Sequence, residues 1–96
     1  MSIFAIAEAP CTEQGAKDFM EWTESDDGYV ITRGFAGFES IQTLLAEDQK
    51  TIYLYEKWAS KEEHQAYLKF RIEGGLMDFM SPRLECEFKV TYFEEK

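Results

Sequence analysis

Residues 52–67 read IYLYEKWASKEEHQAY, and this stretch joins a strand directly to a helix. Alternating apolar side chains over residues 51–58 predict a strand with one buried face. Ser60 and Glu63 form a capping box, in which each side chain can bond the other residue's backbone N–H, so a helix is expected to begin there. The side chains on the inner face of the strand are Ile52, Leu54, Glu56 and Trp58.

Glu56 is the unusual member of that inner face, because a carboxylate in a protein core requires a partner or a wet cavity. One interpretation is catalytic: burial raises the pKa of a carboxyl group, and Glu56 then serves as a general base. The other interpretation is structural: Glu56 forms an ion pair with Arg71 or Arg33. The sequence leaves both open.

The helix that follows places several polar side chains on one side. With about 100° between successive residues, five of its residues fall within an arc of about 140°. They are His64, Tyr67, Leu68, Arg71 and Ile72. In one interpretation the polar members line a cavity opposite Glu56 and Trp58. In the other, the two apolar members anchor the helix and the polar ones lie at its rim.

Each polar candidate has a catalytic and an ordinary interpretation. Tyr67 can donate a hydrogen bond to a developing oxyanion, or it can place its hydroxyl in water. His64 can accept a proton, although its two glutamate neighbours also fit an exposed histidine. Trp58 is expected to pack in the core and can also stack on a flat substrate. The predicted catalytic residues are Tyr67, Glu56 and His64, and the predicted substrate-binding residues are Trp58, Arg71 and Phe19.

Outside this stretch, the same patterns predict three further strands, one further long helix and two short helices. The further strands are expected at residues 3–9, 38–46 and 84–93, the long helices at 12–24 and 60–72, and the short ones at 29–33 and 76–80. The element order βαββαβ predicts a ferredoxin-like α+β fold, a four-stranded antiparallel sheet with its helices on one face. One domain over residues 1–96 is expected.

This arrangement leaves the other face of the sheet uncovered. Tyr53 and Tyr55 are expected there, together with half of the fourth strand. An exposed aromatic face of that size predicts a partner, and a homodimer that pairs two open faces is the simplest one.

Residues 55–60, YEKWAS, are similar to the Glu-x-Trp-x-Ser motif that ends the third strand in the antibiotic biosynthesis monooxygenase family. Gly37 and Phe38 also resemble the turn that opens that family's second strand, with Ala36 in place of a proline. The resemblance to these dimeric α/β-barrel proteins extends over nearly the whole chain. It implies a homodimer whose sheets form a barrel, a small cavity between sheet and helices, and cofactor-independent oxygenation of phenolic or quinol-like rings.

The sequence departs from the family pattern on the second long helix. Many members similar to quinol monooxygenases carry a histidine nine residues after the motif tryptophan, and here that position is Tyr67. Haem-degrading members need a ligating histidine further along this helix, and no histidine follows His64. The resemblance therefore implies a reaction without a cofactor.

The composition disfavours several other classes of protein. The 96 residues carry a formal net charge of −9, which argues against nucleic acid or an anionic membrane as a partner. Apolar runs are too short for a membrane span, and the N-terminus lacks the basic region of a signal peptide, so a cytoplasmic protein is expected.

Cys11 and Cys86 fall near each other on neighbouring strands and are expected as free thiols. Cysteine and histidine spacing gives no zinc motif, so no metal is expected.

The family resemblance implies a cofactor-independent monooxygenase acting on a small aromatic or quinol substrate. Such an enzyme requires an apolar cavity, an acceptor such as Glu56 or His64 to deprotonate a phenol, and donors such as Tyr67 or Arg71 to hold the anion. The alternative is a non-catalytic dimeric domain that binds a ligand or partner, with the same cavity filled by side chains. An enclosed cavity bordered by Glu56, Trp58 and Tyr67 is the feature that distinguishes them.

Overall fold

A computed structural model describes residues 2–96 as one antiparallel sheet with helices on one face. The strands are β1 (Ile3–Pro10), β2 (Phe38–Leu45), β3 (Thr51–Trp58) and β4 (Lys89–Glu94). The helices are α1 (Glu13–Thr23), α2 (Tyr29–Arg33), α3 (Lys61–Glu73) and α4 (Leu76–Met80), and the 3-10 turn Ser81–Arg83 follows α4. The strand order β2-β3-β1-β4 confirms the ferredoxin-like fold. Within residues 2–96, none of the helices is long and apolar enough to cross a membrane.

The fourth strand begins at Lys89, so the predicted start at residue 84 is wrong. The backbone N–H groups of Glu85 and Cys86 both donate to the carbonyl oxygen of Pro10, at 2.7 and 3.4 Å. Pro10 has no N–H with which to extend the ladder. The chain consequently loses regular pairing at this point and recovers it only at Lys89, which pairs with Glu8 of β1.

Helix α1 packs one side, which includes Ala16 and Phe19, against the core. The Thr12 hydroxyl caps the helix by accepting a hydrogen bond from the Gly15 N–H at 2.9 Å. Gly15 lies directly against the backbone of Arg83, where any Cβ would collide with the carbonyl group. This close approach brings α1 onto the core. The buried apolar residues of that core are Ala9, Cys11, Ala16, Phe19, Ile52 and Met80.

The buried side of α3 is polar. Its buried residues are His64, Tyr67 and Arg71, whereas Ile72 is 49% exposed. The interpretation in which the polar residues lie at the rim is therefore wrong, and of the two proposed apolar anchors only Leu68 is partly buried. The core accepts the polar side chains because each of them is hydrogen-bonded there.

The Ser60 cap fixes the start of α3, although the Glu63 carboxylate meets the Ser60 hydroxyl and not the Ser60 N–H that a full capping box predicts. The Ser60 hydroxyl oxygen accepts from the Glu63 N–H at 3.2 Å, and the same hydroxyl donates to the Glu63 carboxylate at 3.1 Å. The Glu63 side chain lies over Gly37, which has a φ of +88° and no room for a Cβ. This contact ties the first turn of α3 to the turn before β2, and so positions the polar side of the helix over the sheet.

The sheet face away from the helices is open, as the sequence predicted. Phe93 and Tyr55 are 46% and 41% exposed on this face. Phe4 of β1 lies between them. It is the pairing partner of Phe93 on β4, and its ring packs edge to face on that of Tyr55, with ring centres 5.5 Å apart. The result is a continuous aromatic surface on the open side of the sheet.

Candidate functional site

A narrow cavity of about 40 Å³ lies between the sheet and the helices. Five of the six predicted site residues line this inner cavity: Phe19, Glu56, His64, Tyr67 and Arg71. Most of the remaining wall is apolar. The volume has room for roughly three water molecules. The inner cavity thus combines an apolar wall with several polar side chains, but it is too small for an aromatic ring unless side chains move.

Glu56 projects from β3 into the inner cavity and is only 3% exposed. The indole N–H of Trp58 donates to its Oε1 atom at 3.0 Å. Burial raises the pKa of Glu56 to about 7, and the hydrogen bond from Trp58 opposes part of that rise. The carboxyl group therefore changes its protonation state close to neutral pH, which is the range in which a general base works best.

His64 lies beside Glu56 and is 2% exposed, so the interpretation of an exposed histidine is wrong. Its Nε2 atom is 3.8 Å from Oε1 of Glu56, and its Nδ1 atom is 2.8 Å from the hydroxyl of Tyr92. Burial lowers the pKa of His64 to about 4, which makes the imidazole neutral at physiological pH. A neutral ring can accept a proton at one nitrogen and donate one from the other.

Tyr67 is buried and its hydroxyl is hydrogen-bonded inside the protein, so the interpretation in which it reaches water is wrong. The hydroxyl lies 2.6 Å from Oγ1 of Thr32 and accepts from Nε of Arg71 at 2.8 Å. When the Thr32 hydroxyl donates to Tyr67, the phenolic proton is free to point into the inner cavity. Tyr67 can then donate to a developing negative charge.

Arg71 carries its charge among neutral oxygen atoms. Its Nη1 atom donates to the backbone carbonyl of Asp27 at 2.7 Å, and Nη2 donates to that of Gly28 at 2.9 Å. Arg33 instead lies over the ring of Tyr29. The predicted ion pair of Glu56 with Arg71 or Arg33 is therefore wrong. The guanidinium group holds the start of α2 through these bonds and a further one to Oγ1 of Thr32 at 2.9 Å.

Trp58 supports the site from behind and does not line the inner cavity. It is completely buried and packs on His64 and Tyr67, with ring centres 5.3 and 5.1 Å away. Phe38 covers its opposite edge. The observed contacts of Trp58 orient Glu56 and the two α3 side chains, which is a positioning role.

A second, wider cavity of about 280 Å³ opens next to the inner one. Trp22, Arg71 and Leu76 line both cavities. The guanidinium carbon of Arg71 lies 4.8 Å from the ring centre of Trp22, so this stacked pair forms the partition between them. Phe70 and Phe79 add aromatic surface to the outer cavity.

Three residues that the sequence did not single out complete the site. Thr32 is buried beneath Tyr67, and Tyr92 contacts His64. Tyr29 lines the inner cavity and shares a hydrogen bond with Thr43, while burial raises its pKa to about 12 and keeps it protonated. The sequence offered no local signal for these contacts, because they join residues far apart in the chain.

The two cysteines are free thiols, Cys11 buried and Cys86 exposed, in agreement with the expectation from the sequence. Burial raises the pKa of Cys11, and the nearby Glu85 carboxylate raises it further. Across residues 2–96, no three histidine, cysteine, aspartate or glutamate side chains are grouped closely enough to hold a metal ion.

Among known proteins, this chain is similar to several solved structures in its fold. No family model matches the chain, and no curated protein matches it. A conserved protein from Methanosarcina mazei superposes with a TM-score of 0.83 at 13% identity, over 100% of this chain and 94% of that one.

Two of the similar solved structures are monooxygenases. One, from Streptomyces coelicolor and in complex with nanaomycin D, superposes with a TM-score of 0.82 at 16% identity, over 99% of this chain and 88% of that one. Another, an antibiotic biosynthesis monooxygenase, superposes with a TM-score of 0.76 at 10% identity, over 98% of each chain. The chain therefore has the fold of the antibiotic biosynthesis monooxygenases, which confirms at the level of fold the resemblance seen in residues 55–60.

Proposed function

We propose that the protein is a cofactor-independent monooxygenase that acts on a small phenolic or quinol-type ring. The observation that carries this proposal is the Glu56 carboxyl group, whose raised pKa is combined with a position facing a mostly apolar cavity. A base that ionises near the working pH is suited to remove a proton from a phenol. The shared fold with a monooxygenase solved with nanaomycin D supports the same class of reaction.

The substrate ring occupies the outer cavity and reaches the inner one at its reactive edge. The outer cavity offers about 280 Å³ and the aromatic side chains Trp22, Phe70 and Phe79 for stacking. Entry of the reactive edge requires Arg71 and Trp22 to separate, because their stacked pair forms the partition. Phe19 then forms part of the apolar wall that faces the ring.

The chemistry needs a base and an anion-binding group, and the site supplies both. The Glu56 carboxylate removes the phenolic proton, and Tyr67 and Arg71 stabilise the phenolate. The phenolate transfers electrons to dioxygen, and one oxygen atom bonds to the ring. The second oxygen atom leaves as water together with two hydrogen atoms of the substrate, so phenol and dioxygen give quinone and water.

The proposed enzyme is a cytoplasmic homodimer. The aromatic open face that includes Phe4, Tyr55 and Phe93 supports the dimer, because an isolated chain would leave it in water. Two free thiols agree with a reducing compartment.

Oxygen consumption by the purified protein, without added cofactor, tests the proposed reaction. A panel of reduced quinols and polyphenols is assayed at about pH 8, where a base with a pKa near 7 is mostly ionised. Saturable uptake above the autoxidation blank, with one heavy oxygen atom in the product from isotopically labelled dioxygen, supports a monooxygenase. Glu56→Gln should abolish the uptake, and Glu62→Gln, at an exposed position on α3, should leave it unchanged. Equal uptake by the two variants would exclude the assigned base.

A non-catalytic ligand-binding domain is the second candidate, and the small volume of the inner cavity favours it. A ring that remains in the outer cavity never meets Glu56. In that case aromatic ligands raise the thermal midpoint, and at equal concentration the tighter-binding ligands raise it more. Stabilisation without oxygen uptake would select this candidate.

A further inference from the structure

His64 connects the buried Glu56 to the protein surface through Tyr92. Nε2 of His64 faces Oε1 of Glu56 at 3.8 Å, and Nδ1 faces the Tyr92 hydroxyl at 2.8 Å. Tyr92 is half-buried on β4 and lines an open groove between α3 and β4. The three side chains therefore form a continuous line from the inner cavity to the surface.

The gap between Glu56 and His64 is slightly too long for a direct hydrogen bond. Both side chains line the inner cavity, which has room for a bridging water molecule. Proton transfer across the gap thus requires no rearrangement of the backbone.

The groups around His64 favour its neutral form. Trp58 packs on one side of the imidazole, and burial lowers the pKa of the ring. From β4, Tyr92 presents a hydroxyl whose own pKa is raised, first by burial and then by the charge of Glu56. Lys61 on α3 lies outside, with its ammonium nitrogen 5.1 Å from the Tyr92 ring centre. The charged residues that border the open groove between α3 and β4 are Lys69 and Glu73.

We propose that Glu56, His64 and Tyr92 form a proton path through which the buried carboxyl group exchanges its proton with solvent. This inference rests on the proposed function, because near neutral pH the buried Glu56 carboxyl group has to release its proton to solvent before it can act as a general base. The Glu56 proton passes to Nε2 of His64, and the ring releases its Nδ1 proton to the Tyr92 oxygen. Tyr92 then releases its own hydroxyl proton to water in the groove. The reverse sequence restores the acid and the original tautomer of the ring.

Tyr92→Phe tests the path because it removes a single hydroxyl group. We expect kcat to fall by about 10-fold or more, as is usual when a proton-transfer group is lost, with KM unchanged. Added imidazole, a small diffusible proton carrier, should restore a large part of the lost kcat. Tyr53→Phe is the matched control, since its hydroxyl contacts Glu8 on the open face of the sheet, and it should keep the wild-type kcat. A wild-type kcat in Tyr92→Phe, or a loss that imidazole does not relieve, would overturn the path.

The tautomer of His64 gives a readout that does not depend on turnover. His64 is the only histidine, so its two ring nitrogens give isolated signals in nitrogen-15-labelled protein. We expect one tautomer in the wild type and a changed tautomer balance in Tyr92→Phe. Identical signals in the two proteins overturn the path even if the protein consumes oxygen. A changed balance in a protein that consumes no oxygen preserves the Tyr92–His64 link and rejects the monooxygenase proposal instead.

Discussion

Nε2 of His64 lies 3.8 Å from Oε1 of Glu56, and the protein interior reverses the order in which these two groups bind a proton. In water, histidine holds a proton more tightly than glutamate does. Here burial raises the pKa of Glu56 to about 7 and lowers that of His64 to about 4. Between these values the proton belongs to the carboxyl group, and the pair consists of a neutral acid beside a neutral imidazole.

This reversal gives the two groups opposite effects on the free energy of unfolding. The raised pKa of Glu56 contributes stability that is fully present below its ordinary value of 4.5 and is lost as pH rises through about 7. The lowered pKa of His64 contributes stability that is present above 6.5 and is lost as pH falls through about 4. The two contributions therefore nearly cancel over the range in which both groups would titrate in an unfolded chain.

Replacing one member of the pair should reveal the contribution of the other. In Glu56→Gln only the histidine remains, so the free energy of unfolding should rise with pH between about 4 and 6.5. In His64→Gln only the carboxyl remains, and the free energy should fall between about 4.5 and 7. Each change should approach about 3 kcal/mol, from pKa shifts of between two and three units. Urea unfolding of both variants across this pH range provides the measurement, and curves parallel to that of the wild type would contradict the assigned pKa values.

Tyr67→Phe should lower both turnover and stability. The substitution leaves Nε of the buried Arg71 without its acceptor, at a cost of about 1–3 kcal/mol. Turnover should fall because the cavity also loses its hydroxyl donor. Thr32→Val is the matched control, since it disrupts the same hydrogen-bond network from a residue that does not line the inner cavity. If the two variants lose equal stability and equal turnover, Tyr67 has no role beyond the network.

Arg71→Lys should loosen α2, because a lysine cannot reproduce the bonds that Arg71 makes to the carbonyl groups of Asp27 and Gly28 and to Thr32. We expect the free energy of unfolding to fall by about 2–4 kcal/mol, since several charge-assisted bonds are lost together. Backbone amides of α2 should exchange faster with solvent. Arg33→Lys, at an exposed position of the same helix, should change neither quantity, and an equal effect of the two substitutions would remove the anchoring role.

Local patterns were sufficient to predict the order of the elements. The alternation in residues 51–58 and the capping box at Ser60 each act within one turn or one strand, where neighbouring residues determine the conformation. The start of β4 was missed because it depends on Pro10, which lies on a different strand. Because Pro10 has no N–H, the segment before Lys89 cannot continue its regular pairing with β1. The sequence pattern within residues 84–93 gives no sign of this effect.

The members of the site were predicted better than their environments. Five predicted residues meet in one cavity because strand and helix periodicity directs them toward each other. The sequence left the burial of His64 open, since its helix position faced a predicted cavity while its neighbours Glu62 and Glu63 suggested a solvated position. Its partner Tyr92 reaches it only through the pairing of β4 with β1, opposite Ala5. Contacts of this kind depend on strand register over long sequence separations, which the local pattern does not specify.

Phe93→Lys should convert the proposed dimer into a monomer. Phe93 lies opposite Phe4 on the open face, and a lysine there would place an ammonium group in the apolar interface at a cost of several kcal/mol. Light scattering over a range of concentrations should give twice the chain mass for the wild type and the single chain mass for the variant. Val30→Lys, at a highly exposed position on α2, is the matched control and should remain dimeric. A folded Phe93→Lys variant that keeps the mass of the wild type would show that this face is not the interface, and a monomeric wild type would reject the homodimer itself.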